Sequence, residues 1–126
     1  MRALIVGDGE RADRLAAGLE RAGIEVERPG GAPPGEGGIA ALAGGIVALE
    51  RLLADRPANA VVLEGDSDAA LAALIVASKL EVPVARVAGP RPRAGPTDLN
   101  WRLIASLADA ELAEDAETVA AWVRGT

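Results

Sequence analysis

Short unbroken apolar runs alternate along this chain with longer stretches in which apolar residues recur every three or four positions. Ala3 to Val6, Ile24 to Glu27, Ala60 to Leu63, Val84 to Val87 and Ala110 to Ala113 read as strands. Ala3 to Val6, short, apolar and ending at Gly7, suits a strand covered on both faces, as in parallel sheets. Between them, Ala12, Leu15, Leu19 and Ala22 mark one face of a first helix, with Gly23 as its stop. Ile39, Leu42, Ile46, Leu49 and Leu53 form the stripe of a second helix ending before Pro57. Gly44 and Gly45 inside it cost roughly 1 kcal/mol each relative to Ala, which predicts a break or a closely packed neighbour. A third helix spans about Ser67 to Leu80, a fourth begins near Thr97 or Asp98, and a fifth spans about Asp115 to Arg124. Residues 29 to 38 and 88 to 96 are too rich in Gly and Pro for regular structure and read as loops.

Five strands separated by helical crossovers predict a parallel sheet with helices on both faces. The expected architecture is α/β, a three-layer α/β/α Rossmann-like sandwich with strand order 2-1-3-4-5. In such folds ligands sit outside the carboxyl ends of the strands, near the switch point between strands one and three. The loops Gly7 to Arg11, Glu64 to Asp68 and Ala88 to Asn100 are therefore where function is expected.

The 126 residues fit one domain, 1-126, with no second domain expected. The core must be assembled from Ala, Val, Leu and Ile, because the chain has no Phe, Tyr or Cys. Its 13 basic residues against 19 acidic ones give a net charge of −6, spread diffusely. That balance argues against nucleic acid, whose phosphates call for clustered cations. Without Cys or His, thiolate chemistry and the commonest metal ligand and general base are absent, so acid–base work falls to carboxylates. No metal and no cofactor is expected. No apolar run reaches the length of a membrane span and no secretory leader is visible, so the expected setting is cytoplasmic, away from membranes.

One carboxylate stands out by position. Asp66 follows the third strand over a helix start, where it can either meet a ligand or cap the helix; Ser67 can cap it equally well. Asp98 opens the fourth helix, beyond a loop carrying Arg91 and Arg93.

The order of motifs from Ala60 to Asp109 resembles the non-hydrolysing UDP-N-acetylglucosamine 2-epimerases. Gly65-Asp66-Ser67 is similar to their Gly-Asp-Thr, and Val84-Ala85-Arg86-Val87 to the strand that follows. Pro96-Thr97-Asp98-Leu99-Asn100 is similar to Pro-Glu-Glu-x-Asn, and Leu107-Ala108-Asp109 to Leu-Ala-Asp. The resemblance implies the amino-terminal half of a two-domain GT-B enzyme, here shortened. In that family a base removes the proton at sugar C2, UDP is eliminated, and UDP is added back on the other face. A second domain holds most of the UDP.

Carried over by position, the resemblance implies catalytic roles for Asp66 and Asp98. It implies substrate contacts from Gly7, Glu10, Arg11, Gly65, Ser67, Arg91 and Asn100. Several positions depart from the family. Arg11 is displaced from the family's nucleotide-holding arginine, and Trp101 stands where an arginine is expected. Thr97 and Asp98 replace two glutamates, and no carboxylate lies between Val87 and Asp98, where another catalytic glutamate belongs. A UDP-sugar is the implied ligand. The implied partners are a second copy of the chain or a separate UDP-binding subunit. The reading is a non-catalytic binding or assembly module, or one subunit of a split isomerase.

Two other readings use other residues. Gly7-x-Gly9-x-x-Ala12 after a strand, with Glu27 twenty residues on, is a partial dinucleotide fingerprint for an NAD(P)-binding regulatory domain. The small residues Ala40, Ala41, Val47 and Ala48 around Gly44-Gly45 would let a second helix approach, as in a dimer.

Overall fold

The computed structural model describes residues 1–29, 38–89 and 95–126. The elements are β1 (Arg2–Val6), α1 (Glu10–Arg21), β2 (Glu25–Glu27), α2 (Gly38–Asp55), β3 (Ala60–Leu63), α3 (Asp68–Lys79), β4 (Val84–Val87), α4 (Pro96–Leu107), β5 (Ala110–Leu112) and α5 (Ala116–Arg124). The five strands form one sheet in the order β2-β1-β3-β4-β5. Every neighbouring pair is parallel, with Val61 beside Leu4 and Val84, and Arg86 beside Leu63 and Glu111. The predicted class, strand count and strand order are those observed.

The strand pleat divides the apolar residues between two cores. Leu4, Val6, Val61, Leu63 and Val84 face one layer, built from α2, α3 and Ile104 of α4. Ala3, Ile5, Ala60 and Val62 face the other, built from Leu15, Ala16 and Leu19 of α1 and Val119, Ala120 and Val123 of α5. Trp122 packs against this second core. The edge strands β2 and β5 are three residues long and carry Glu25, Glu27 and Glu111. Short, charged edges resist pairing with other chains.

The helices depart from expectation in detail. Burial rises along α2: Ile39 is 80% exposed, Leu42 and Ile46 are partly buried, and Leu49 and Leu53 are in the core. The stripe is real, but only the second half of the helix lies over the sheet. The helix runs unbroken through Gly44 and Gly45, and a Cβ on Gly45 would sit 3.6 Å from the Ala72 Cβ of α3. That is ordinary contact distance, and a Cβ on Gly44 would meet nothing within 4 Å, so among the described residues the glycine pair has neither the break nor the very close backbone expected of it. Gly38, expected in a loop, begins α2, and α4 begins at Pro96 rather than one or two residues later. Proline suits the first helical turn, where its missing N–H costs nothing. Residues 30 to 37 and 90 to 94, expected in loops and including the expected Arg91 contact, lie outside the described residues.

At the amino edge of the sheet the polar groups join the strands. Arg2 N donates to Asn59 Oδ1 at 2.8 Å, and Asn59 N donates back to the Arg2 carbonyl at 2.8 Å. Asp109 receives Val84 N on Oδ2 at 2.8 Å and gives its own N–H to the Val84 carbonyl at 2.7 Å. Asp109, the end of the resembling segment, thus fixes the entry to β4.

Candidate functional site

The carboxyl edge is organised around the turn after β3. Glu64 N donates to the Val6 carbonyl at 2.9 Å, keeping the chain beside β1 for one residue past the strand. The Glu64 side chain then lies against Gly7. A Cβ added at Gly7 would stand 2.8 Å from both the Glu64 Cβ and its carbonyl oxygen, and 3.0 Å from Oε2. Gly7 is therefore required for close approach of the two strand ends.

Ser67, not Asp66, caps α3: its Oγ accepts from Ala70 N at 3.1 Å. The cap is filled one residue later than Asp66, so the Asp66 carboxylate is not used there. Asn100, only 4% exposed, donates from Nδ2 to the Asp66 carbonyl at 3.0 Å and to Asp68 Oδ1 at 2.9 Å. This side chain ties the first half of α4 to the β3–α3 turn.

These turns enclose a cavity of about 160 Å³. Glu64, Gly65 and Asp66 form one wall, residues 86 to 89 at the end of β4 another, and Arg11, Trp101 and Ile104 complete it. Its acidic side is the most perturbed part. Burial first of all holds the Glu64 carboxyl above the ordinary value of 4.5. Arg11 pulls it down, while Glu114, Asp8 and Asp66 push it further up. Arg11 is shared, since its Nε lies 3.3 Å from Glu114 Oε1.

The opposite wall holds Arg86. The register that puts Val84 toward α4 puts Arg86 on the same face, where a further apolar residue would be ordinary. It is 8% exposed. Its Nη2 donates to Glu111 Oε1 on β5 at 2.8 Å, and its Cζ lies 5.2 Å from the centre of the Trp101 ring. Its Nε is buried and has no hydrogen-bond partner among the described residues.

Of the candidates read from the sequence, Arg11, Gly65 and Asp66 line this cavity. Gly7, Ser67 and Asn100 shape its wall through the contacts above. Glu10 is exposed on the first turn of α1. Asp98 stands on the first turn of α4, with its Oδ2 3.4 Å from Arg102 Nε, at the same edge as Asp66 but not in the cavity wall. Ala88 follows directly on β4, and among the described residues the carboxylates lining the cavity are Glu64 and Asp66. The residues passed over in the sequence are Glu64 and Arg86. The signal for Arg86 was a charge inside an apolar strand, Val-Ala-Arg-Val.

The dinucleotide fingerprint is engaged otherwise. Glu27 Oε2 lies 3.3 Å from Arg56 Nη1, and Arg28 donates to the Gly7 carbonyl at 2.8 Å while pairing with Asp13 at 2.6 Å. Among the described residues no three acidic side chains come together in a metal-binding group, and no helix is long and apolar enough to cross a membrane.

Together these features define a Rossmann-like α/β domain with a small mixed-charge cavity at the carboxyl rim of its sheet. Among the solved structures it resembles are UDP-GlcNAc 2-epimerases. The enzyme from Methanocaldococcus jannaschii superposes with a TM-score of 0.74 at 24% identity, over 90% of this chain and 39% of that one. A structure of the M. jannaschii enzyme in complex with UDP-GlcNAc and UDP gives 0.74 at 21% identity, over 100% of this chain and 44% of that one. The Neisseria meningitidis enzyme bound to UDP-GlcNAc gives 0.67 at 18% identity, over 90% and 40%. These likenesses establish the fold, and the chain spans about two-fifths of the length of the structures it matches. No family model and no curated protein matches its sequence.

Proposed function

We propose that this chain is a nucleotide-sugar-binding domain of the epimerase type, acting in the cytoplasm as a non-catalytic binding or assembly module. The cavity at the carboxyl rim carries this reading. It sets two carboxylates, Glu64 and Asp66, against a guanidinium and an indole, in a fold shared with enzymes whose structures hold UDP-GlcNAc. Carboxylates accept from sugar hydroxyls, and the Trp101 indole offers an apolar face to a ring. The non-catalytic side of the proposal rests on the lack of any carboxylate between Val87 and Asp98, where the resemblance calls for a glutamate, and on the engagement of Asp98 by Arg102. A UDP-binding partner would convert the same cavity into half of an isomerase.

The assembly surface we assign to this module is α4. Leu99, Leu103 and Leu107 are 51%, 36% and 59% exposed and recur at helical spacing, which suits pairing with a second copy.

Calorimetry with UDP-N-acetylglucosamine, UDP and NAD in parallel tests the ligand. UDP-N-acetylglucosamine is expected to bind in the high micromolar to millimolar range and NAD not to bind. Binding of NAD alone would transfer the chain to the dinucleotide reading. Conversion of UDP-N-acetylglucosamine to its C2 epimer by the chain, followed by NMR, would replace the non-catalytic assignment with an enzymatic one.

A further inference from the structure

We propose that two copies of this chain pair through α2 across a two-fold axis, each placing Ile39 in the apolar hollow at the carboxy-terminal end of the other's α2. The inference goes beyond the proposed function: it uses no residue of the rim cavity and a helix other than α4.

Both complementary parts belong to α2. Ile39, in its first turn, is 80% exposed. The hollow, about 350 Å³, is bounded by Leu53, Ala54 and Pro57 at the far end of the helix, with Leu80 and Val82 opposite. It is open to solvent: Ala54 and Pro57 are exposed, and Leu80 is 45% exposed. Glu50, which also lines the hollow, follows Ile39 by about three full turns, so the two side chains leave the helix on nearly the same line. Ala54, one turn further, lies within about 60° of that line.

An antiparallel pair brings knob and hollow together twice. With the axis beside Ile46 and Val47, Ile39 of one copy stands across from Ala54 of the other, and symmetry repeats the contact. A knob and a hollow on different faces would build an open chain of copies; on one helix face they close a dimer. Between the two ends, Ala43 and Gly44 are small and exposed, and a Cβ on Gly44 would meet nothing within 4 Å. Small residues there let the two helices come close.

Charge and area favour a second copy as the occupant. From Gly38 to Leu49 the helix carries no charged side chain, in a chain of net charge −6. Around the contact the signs are mixed. Glu50, Arg51 and Asp55 lie on the helix, Lys79 and Glu81 stand on either side of Leu80, and Glu36 belongs to the adjoining stretch outside the described residues. Two copies meeting here bring no large excess of one sign together. The 18-residue helix is about 27 Å long and about 10 Å wide, a strip at the small end of specific interfaces. The dimer is accordingly weak, with a dissociation constant in the high micromolar range.

Sedimentation velocity from about 10 µM to about 1 mM tests the pairing. Leu107→Glu, which interrupts the exposed stripe of α4, is the background, so that α2 is measured alone. That chain is expected to pass from monomer to dimer over the range. Ile39→Lys and Ala54→Glu, both at exposed positions, should each weaken the dimer at least about tenfold and leave the urea midpoint unchanged. An equimolar mixture of the two variants should dimerise nearly as well as the background. One contact is then intact, and the other sets an introduced cation against an introduced carboxylate.

A mixture that associates no better than either variant alone would overturn the inference, as would dimerisation that Ile39→Lys leaves intact. A Leu107→Glu chain that stays monomeric while the parent associates would overturn it and leave the α4 surface standing. Equal association of the parent and Leu107→Glu, lost on Ile39→Lys, would uphold it and remove the α4 surface instead. A parent that is monomeric throughout overturns it; an earlier urea midpoint for Ile39→Lys would then identify a segment of the same chain as the occupant.

Discussion

At the amino edge of the sheet, Arg2 and Asn59 exchange two hydrogen bonds and Asp109 exchanges two with Val84. At the carboxyl edge, Glu64, Asp66 and Arg86 line an opening. The same kinds of residue serve opposite ends. At one end they bond strands to turns; at the other they stand at the wall of a cavity. Size alone would have chosen the other end. The larger hollow, about 350 Å³, lies where the chain enters β3 and β4, and its wall is Leu53, Ala54, Pro57, Ala58, Leu80 and Val82 with Glu50 the sole charged member. It offers carbon and little direction. The smaller cavity has directional groups on two facing walls, and direction is what recognises a polar ligand.

The strongest way to test that division is to cut one tie at each edge. Asn100→Ala removes two buried hydrogen bonds at the carboxyl edge and releases the Asp66 carbonyl. The expected loss is about 2–3 kcal/mol of stability, together with weaker ligand binding, because the turn that presents Asp66 loses its anchor. Asp109→Ala at the amino edge removes the side-chain acceptor for Val84 N. Its expected cost is about 1 kcal/mol, with ligand binding unchanged. Urea denaturation and calorimetry on both variants separate the effects. If Asp109→Ala weakens binding as much as Asn100→Ala does, the two edges are not functionally distinct.

Much of the fold was legible because its signals are local. Short runs that are wholly apolar in β1 and β3, a glycine stop after α1 and a proline after α2 place the elements, and alternation of type implies parallel pairing. The exposed start of α2 was not legible: Ile39 continues the apolar stripe, but whether a stripe is covered depends on where the helix crosses α3. The site was legible only in part. Asp66 and Ser67 are adjacent and both can cap a helix, so sequence leaves the choice open; the bond from Ala70 N to Ser67 settles it and separates cap from cavity. Arg86 was visible as a charge in an apolar strand. What makes it a candidate is Glu111, 25 residues away, and Trp101 on another helix. Those pairings arise from the β4–β5 register and the seating of α4, neither of which a local pattern encodes.

The smallest expected effect is also the one in which the edges should differ in sign. Burial raises Glu64 in the folded chain, so between the ordinary value of 4.5 and its folded value the native state holds a proton that the unfolded chain has released. Stability from this group is complete below the unfolded value and is lost as pH rises through the folded one. Glu25 at the amino edge behaves oppositely. The hydrogen bond from Arg2 lowers it, outweighing the opposing effect of burial, and the charges of Arg2 and Arg56 add smaller contributions in the same direction as the hydrogen bond. Its contribution is present above the unfolded value and is lost as pH falls through the folded one. Glu64→Gln should therefore flatten the stability profile on the side above 4.5 and leave the variant slightly more stable at neutral pH. Glu25→Gln should flatten it on the acid side. Urea midpoints collected from about pH 3 to about pH 8 resolve the two slopes. A Glu64→Gln profile parallel to the parent's above 4.5 would mean that this carboxylate is as well solvated as those on the surface. The carboxyl edge would then carry no more electrostatic tension than the amino edge, and the contrast between the two would rest on hydrogen bonding alone.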